Sequence, residues 1–351
     1  MNNTHIIRKF KPGDESGIIK LYEEVYQKNM CLDFWNWKFN GFEQGPANIY
    51  VAEYDNEIIA CSSWIHSHLN FMGREIPAFQ TVDMMVRSDH RGKSLYTKIR
   101  APMHEEAAKK GIKAVFAFAN RIALPRHIAK FDWDRIVQLK RYEYRIGYRE
   151  ILGTSLDAVY KMIHKNCRIK DVKKKLRNIR ARSLGRNHKI VMYSQTPDDL
   201  AECLEKAGEK EVLAVKKNLP YLKWRYDNNP EYDYSFHVLY VGGRPKGFTV
   251  TRYCGGEITI CDFIHQTNDV IQSVSLLAHV VNYYHMTKAQ VIQFYGHDSV
   301  FFDWVFNGCG FKVFPSSGMV FAGRVFDDEN LQRHFLQPYN WSLSHGDSDL
   351  I

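Results

Sequence analysis

Hydrophobic and polar positions along this chain switch between two periods, and the switches mark its elements. Ile6-Ile7 opens the pattern as a short strand. Pro12-Gly13-Asp14 interrupts it, and Ile18, Leu21, Tyr22 and Val25 then recur at the spacing of one helix face, with Asp14 placed to cap that helix. Ile49 to Glu53 and Ile58 to Ser62, separated by the polar Asp55-Asn56-Glu57, predict a hairpin. Val82 to Val86 predicts a further strand. Leu95, Ile99, Met103 and Ala107 give the helix after it an inward face, with a kink at Pro102, because an interior proline removes one backbone bond and costs about 3 kcal/mol. Lys113 to Asn120 predicts a buried strand ending in a polar residue, and Arg126 to Trp133 a short helix.

The pattern then repeats. Trp37-Lys38-Phe39-Asn40 and Trp224-Arg225-Tyr226-Asp227 stand 187 residues apart, as do Val51 and Val238, and Ala60-Cys61-Ser62 and Gly247-Phe248-Thr249. Val82 to Val86 pairs with Cys261 to His265 at a distance of 179, and Asp132-Trp133 with Gly310-Phe311 at 178. One deletion of eight residues explains nearly all of the change, and it falls where the first copy carries the extra segment Ser67 to Gln80. The order of strands and aromatic residues predicts two tandem copies of one α/β unit with a mixed, α+β type sheet. The boundaries are 1–150 and 190–340, with a linker at 151–189 and a tail at 341–351; from Ser342 the tail reads as polar and frayed.

Composition fits this organisation. The 351 residues, 45% hydrophobic and 14% aromatic, suffice for two cores. Seven cysteines, an odd number with no Cys-x-x-Cys pair, argue against a disulfide framework and for a reducing cytoplasm. The polar start and the lack of an apolar run near the roughly 18 residues of a membrane span predict neither a signal peptide nor a transmembrane helix, hence a cytoplasmic protein, or one peripheral on the inner membrane face.

Charge is concentrated in the linker. Residues 161–189 hold twelve Lys and Arg against the single acid Asp171, whereas the whole chain is only +9. Ile169, Val172, Leu176 and Ile179 put an apolar stripe on one face of this basic helix. Such a helix either touches an anionic membrane surface, an acidic carrier protein or a nucleic acid, or docks on its own protein through the stripe.

The candidate chemistry lies at Val86-Arg87-Ser88-Asp89-His90-Arg91-Gly92-Lys93-Ser94-Leu95-Tyr96. A strand that enters a turn of small and basic residues and then a helix leaves several backbone N–H groups unpaired, and Arg91 and Lys93 add positive charge beside them. The stretch resembles the pyrophosphate-binding motif of the GNAT acyltransferase superfamily, a valine-ended strand followed by Arg/Gln-x-x-Gly-x-Gly/Ala. Arg91 fills the first position, Ser94 replaces the first glycine and Tyr96 the second. The upstream hairpin, and Lys130-Phe131-Asp132-Trp133 with Asp132 in place of a glycine, extend the resemblance over residues 4 to 140. Copy two has Gln266-Thr267-Asn268-Asp269-Val270 at this point, without the arginine or a glycine, which predicts one cofactor site, in the first half.

The resemblance implies acetyl-CoA or another acyl-CoA as co-substrate, held by Arg91, Gly92, Lys93, Ser94, Leu95 and Tyr96 at its diphosphate. It further implies backbone groups of Met85 and Val86, and Asn120, along its pantetheine arm. The implied reaction is direct N-acylation of a primary amine in a ternary complex, without a metal. Strand alternation makes Asp83 the first candidate for general base, the alternative being a structural carboxylate paired with a basic residue, as the retained Asp262 of copy two suggests. His127 is the second candidate, since histidine titrates near neutral pH, the alternative being a hydrogen-bonded core residue. The tyrosine that the superfamily often uses as general acid is replaced by Ile128, and Trp35 and Trp37 either line the acceptor pocket or belong to the core.

Tandem chains of this look are similar to acyltransferases of bacterial surface-polysaccharide pathways, which favours an amino sugar, nucleotide-linked or lipid-linked, as the acceptor. Two other classes stand beside this reading. Fem-type peptidyltransferases join two such domains and use aminoacyl-tRNA but lack the phosphate turn, so nucleic acid is disfavoured as a partner. A non-catalytic binding module would explain Ser94, Tyr96 and Asp132.

Overall fold

The computed structural model describes residues 4–42, 45–119, 122–146, 188–266, 269–298, 300–314 and 318–349. Asn120, residues 147–150 and residues 151–187 of the linker lie outside them; His188 and Lys189 already belong to a strand.

The first half follows the predicted order. Strand β1 (Ile6–Lys9) leads to a helix at Glu15–Tyr26 and a second at Leu32–Asn40. Asp14 precedes the first helix without capping it by its side chain, because its carboxylate is taken by Arg8 at 2.6 Å and by the Lys11 amide. β2 (Asn48–Tyr54) and β3 (Glu57–Phe71) meet in a two-residue turn whose Asp55 and Asn56 both have positive φ, as a tight antiparallel hairpin requires. β4 (Arg74–Val86) returns along β3, and the segment absent from copy two is the extended end of this hairpin. A helix at Leu95–Lys109 runs unbroken through Pro102 to β5 (Ala114–Ala119), a helix at Leu124–Phe131, β6 (Asp134–Gln138) and β7 (Lys140–Arg145).

The second half repeats this plan with β8 (His188–Tyr193), β9 (Leu213–Val215), β10 (Tyr234–Val241), β11 (Arg244–Cys254), β12 (Glu257–His265), a helix at Val270–His285, β13 (Val291–His297), a helix at Phe301–Gly308, β14 (Lys312–Phe314) and β15 (Val320–Val325). A last strand, β16, spans Trp341–Ser344.

The halves exchange strands. The first sheet runs β1-β2-β3-β4-β5-β15-β6, so the strand between β5 and β6 comes from the second half. The second runs β8-β10-β11-β12-β13-β7-β14, and β7 from the first half fills the matching place. β9 and β16 join the two into one hydrogen-bonded sheet of sixteen strands. A boundary at residue 150 therefore divides the sequence but not the sheets. One apolar core, with Trp35, Trp37, Trp224, Phe236 and Phe248, also spans both halves.

The end of the chain is packed, contrary to the frayed tail expected from its polar residues. Trp341 and residues 343–348 are buried. Their polar groups are satisfied from within: the Arg225 guanidinium donates to the Ser348 carbonyl, Gln80 to the Asp347 carbonyl at 3.0 Å, and Tyr221 to the Gly346 carbonyl at 3.1 Å. Gly346 lies so close to β12 that a Cβ there would stand 2.6 Å from the Asp262 carboxylate, which leaves glycine as the residue that fits. Among the described residues no helix is long and apolar enough to cross a membrane.

Candidate functional site

In both halves two parallel central strands diverge. β4 and β5 pair from Ala78↔Ala114 to Gln80↔Phe116 and then separate, so Thr81 to Val86 run along one side of a V-shaped opening. Within that stretch β4 carries a bulge. Val82 faces Ser63 and Met85 faces Cys61, while Asp83 takes φ +44 between them. A bulge re-aims side chains beside it and frees backbone groups from the ladder.

The basic turn stands at the mouth of the opening. Ser88–His90 form one helical turn; His90 is buried against His5, and Arg87 is engaged by Glu57 and Asp89. Arg91, Gly92, Lys93 and Ser94 are exposed, and among the described residues Arg91 and Lys93 meet no carboxylate; Arg91 bonds the Val86 carbonyl through Nε. Ser94 holds the glycine-type conformation, φ +60, and its side chain does not cap the helix behind it. Among the described residues no backbone N–H from Gly92 to Thr97 has an acceptor. This is an open anion cradle made of amides, the helix dipole and two free cations. Tyr96 does not obstruct it, since its ring turns inward and its hydroxyl lies 2.9 Å from His127 Nδ1.

The equivalent place in the second half is closed twice. Asp269 caps the helix at Val270–His285, accepting from the Ile271 and Gln272 amides, and so puts a carboxylate where an anion would dock. β12 and β13 pair only as far as Ile260↔Phe294, and β16 then adds to β13 at Gly296 and His297. β7 covers the other edge of β13, so β16 lies inside the second V. Ser344 bonds Asp262 there, and Lys217 holds Asp262 and Asp347, both at 2.7 Å.

Asp83 is brought to the bulge, next to the opening, and is ion-paired with Lys38 at 2.7 Å. Asp349 approaches the same ammonium at 3.6 Å. Lys38 is buried, and although burial favours its neutral form, the two carboxylates raise its pKa above the ordinary lysine value. Burial and the nearby Asp83 raise that of Asp349. Lys38 and Asp83 of the first half thus form, with Asp349 of the tail, a cluster of the same composition as Lys217–Asp262–Asp347.

His127 is not placed to exchange protons at neutral pH. It is buried between Tyr96 and Trp133, whose ring stacks on it at 4.3 Å, and burial with the neighbouring Arg100 pulls its pKa down to about 2. Trp35 and Trp37 are core residues, fully and nearly buried. Met85 and Val86 end β4 beside the opening, and Leu95 begins the helix behind the turn.

Sequence reasoning missed Lys38, Asp349 and Arg100. A basic residue after the tryptophan in both copies, Lys38 and Arg225, was a usable signal for the first. An arginine on the helix face of Tyr96 and Met103 was one for the third. Asp349, in a polar terminal stretch, had none. A cavity of about 540 Å³, lined among others by Asn70, Glu211, Phe263 and Ser344, lies on the second half's side, and none of residues 83–96 borders it. Burial pushes Glu211 there up to about 7.

Comparison with known proteins bears on the fold that holds this site. Residues 6–144 match the family model described as an acetyltransferase (GNAT) domain. Among solved structures, a probable N-acyltransferase from Enterococcus faecalis V583 superposes with a TM-score of 0.63 at 12% identity, over 93% of this chain and 74% of that one. A GCN5-related N-acetyltransferase from Kribbella flavida gives 0.62 at 11%, over 93% and 72%. A tandem GNAT protein of the clavulanic acid biosynthesis pathway gives 0.56 at 9%, over 92% and 98%. At these identities the likeness establishes the fold: a mixed α/β architecture of two GNAT-like halves. No curated protein sequence matches the chain significantly.

Proposed function

We propose that the first half binds one acyl-CoA per chain and transfers its acyl group to a primary amine. The observation that carries this reading is the contrast between the halves. The uncapped, cationic turn Arg91–Ser94 faces an open V in the half that matches the acetyltransferase model, whereas Asp269 and β16 occupy both places in the other.

The diphosphate takes the amides and cations of the turn, and the pantetheine arm adds to the free edge of β4 as a strand would. The amine nitrogen attacks the thioester carbon; the C–N bond forms, the C–S bond breaks and CoA leaves as thiolate. Amides near Met85 and Val86 receive the developing oxyanion. Asp83 takes the proton from the attacking nitrogen, and the buried Lys38 ammonium, 2.7 Å away, aims that carboxylate. The acceptor we favour is an amino sugar, and Asn120 is assigned to the pantetheine arm.

Thermal-shift measurements with acetyl-CoA and with total tRNA test the reading. Stabilisation by acetyl-CoA supports it. Stabilisation by tRNA alone assigns the chain to aminoacyl-tRNA chemistry, and turnover absent despite CoA binding makes it a binding module. For residues 161–189 we propose reversible contact with an anionic membrane, at roughly 1 kcal/mol per basic residue near the surface. Vesicle sedimentation that is equal for neutral and anionic lipid, or unmoved by salt, excludes that contact.

A further inference from the structure

Arg100, on the helix that follows the basic turn, is fully buried and has no carboxylate partner among the described residues. Its Nη1 donates to the Thr81 hydroxyl at 3.0 Å, while among the described residues Nε and Nη2 have no acceptor. Trp64, Tyr96, Phe131 and Trp133 enclose the guanidinium, their ring centres 5.5 to 5.7 Å from its carbon. The indole N–H groups of Trp64 and Trp133 likewise find no acceptor. Ring faces attract a cation but accept its N–H bonds far more weakly than an oxygen does. A buried cation without its complement is among the costly things a fold can carry. Burial lowers the Arg100 pKa only to about 10, so the group stays charged at neutral pH.

The place of this cluster says what meets it. Thr81 is the first β4 residue beyond the last β4–β5 pair, so Arg100 stands at the apex of the V whose mouth is the basic turn. Resting on the proposed function, a donor thioester beside Met85 and Val86 points its acyl group into this apex. Four residues of strand span roughly 13 Å, less where a bulge intervenes. A few acyl carbons and one hydrogen bond of about 3 Å cover what the arginine side chain does not. The acceptor that matches two free N–H groups in one plane is a carboxylate bound by a two-point fork.

We infer that Arg100 selects the acyl donor, and that the preferred donor is the CoA half-thioester of a short dicarboxylic acid. Its free carboxylate bonds Arg100 Nε and Nη2, with the Trp64 and Trp133 N–H groups completing the oxygen shell. Arg100 is then a specificity-determining residue on the buried face of the cofactor helix, and a plain acetyl group leaves it unmet.

Calorimetric titration of the full-length protein with CoA, acetyl-, butyryl-, malonyl-, succinyl- and glutaryl-CoA tests this. Butyryl and succinyl have the same number of carbons and differ by the charge. The expected result is at least tenfold tighter binding of one carboxylated donor than of butyryl-CoA. In Arg100→Met that ratio should fall to about one, with CoA itself bound within a few-fold of the wild-type affinity. The wild-type series decides the matter even if the variant fails to fold. CoA bound with no preference for a carboxylate overturns this inference alone. Failure of every CoA species to bind overturns the acyl-CoA reading and this inference with it, and tight binding of free succinate without CoA shows an anion site unrelated to the donor.

Discussion

Trp37 and Trp224 each donate the indole N–H to the other's backbone carbonyl, at 2.6 and 2.9 Å, with the rings stacked 5.5 Å apart. The pair lies at the distance of the internal repeat and places the local two-fold axis between the halves. Both rings are buried, so either replaced by alanine should cost about 3–5 kcal/mol. Trp37→Phe keeps most of the ring but leaves the Trp224 carbonyl unpaired, at about 1–3 kcal/mol. Urea denaturation measures both, and a Trp37→Phe variant as stable as wild type would deny the hydrogen bond a part.

One acyl-CoA should bind per chain, and Arg91→Glu with Lys93→Glu should abolish binding measurable by calorimetry while leaving the melting temperature nearly unchanged, since both side chains are exposed. A stoichiometry of two would mean that β16 does not close the second V.

Asp83→Asn should hold donor affinity within a few-fold and lower turnover by about 10²-fold, the scale expected for loss of a general base. Lys38→Met should lower turnover as well, by releasing the carboxylate it positions. Unchanged thiol release in Asp83→Asn, with a competent amine present, rules the residue out as the base.

The buried histidines should make the fold less stable in acid. His104 and His127 have pKa values depressed from 6.5 to about 3 and about 2, chiefly by burial. The unfolded chain takes up their protons below about 6.5 and the folded chain does not, so their stabilising share is complete above 6.5 and is lost progressively as pH falls toward 3. His104→Phe, which preserves the stacking on Phe131, should flatten the stability curve between pH 6.5 and 4. A curve identical to wild type would show that other groups govern acid unfolding.

Cutting the chain in the linker should yield two fragments that are insoluble apart and associate when expressed together, because each sheet lacks one strand without the other. A cooperative unfolding transition for residues 1–150 alone would contradict the exchange.

What the sequence made legible was local. The hairpin at Asp55-Asn56 and the strand-to-helix turn follow from residues near one another, the repeat from two similar orders of such local patterns, and Ser94 and Asp132 take the positive φ that their glycine-like positions require. The exchange of β7 and β15 was not legible, because Tyr142 and Phe321 carry the same alternation whichever sheet they join. The tail was misread for a similar reason. Ser344, His345 and Asp347 look like solvent-facing residues until Asp262, Lys217 and Arg225 are seen to enclose them. At the site, Asp83 could be singled out by strand position, but its partner Lys38 lies 45 residues away and reaches it only through the packing of a helix on the sheet.

The exchanged strands also set a clock during synthesis. β5, Ala-Val-Phe-Ala-Phe-Ala, is apolar on both faces, and its open edge is satisfied by β15, about 200 residues downstream. At about 5–20 residues per second, that edge leaves the ribosome some 10–40 seconds before its partner exists. For that interval the half that carries the proposed active site presents an unpaired, uncharged strand to every other nascent chain. Such an edge invites aggregation. Yield in the cell should therefore respond to chaperone supply and to translation speed between residues 120 and 325 more than to the final stability of the fold.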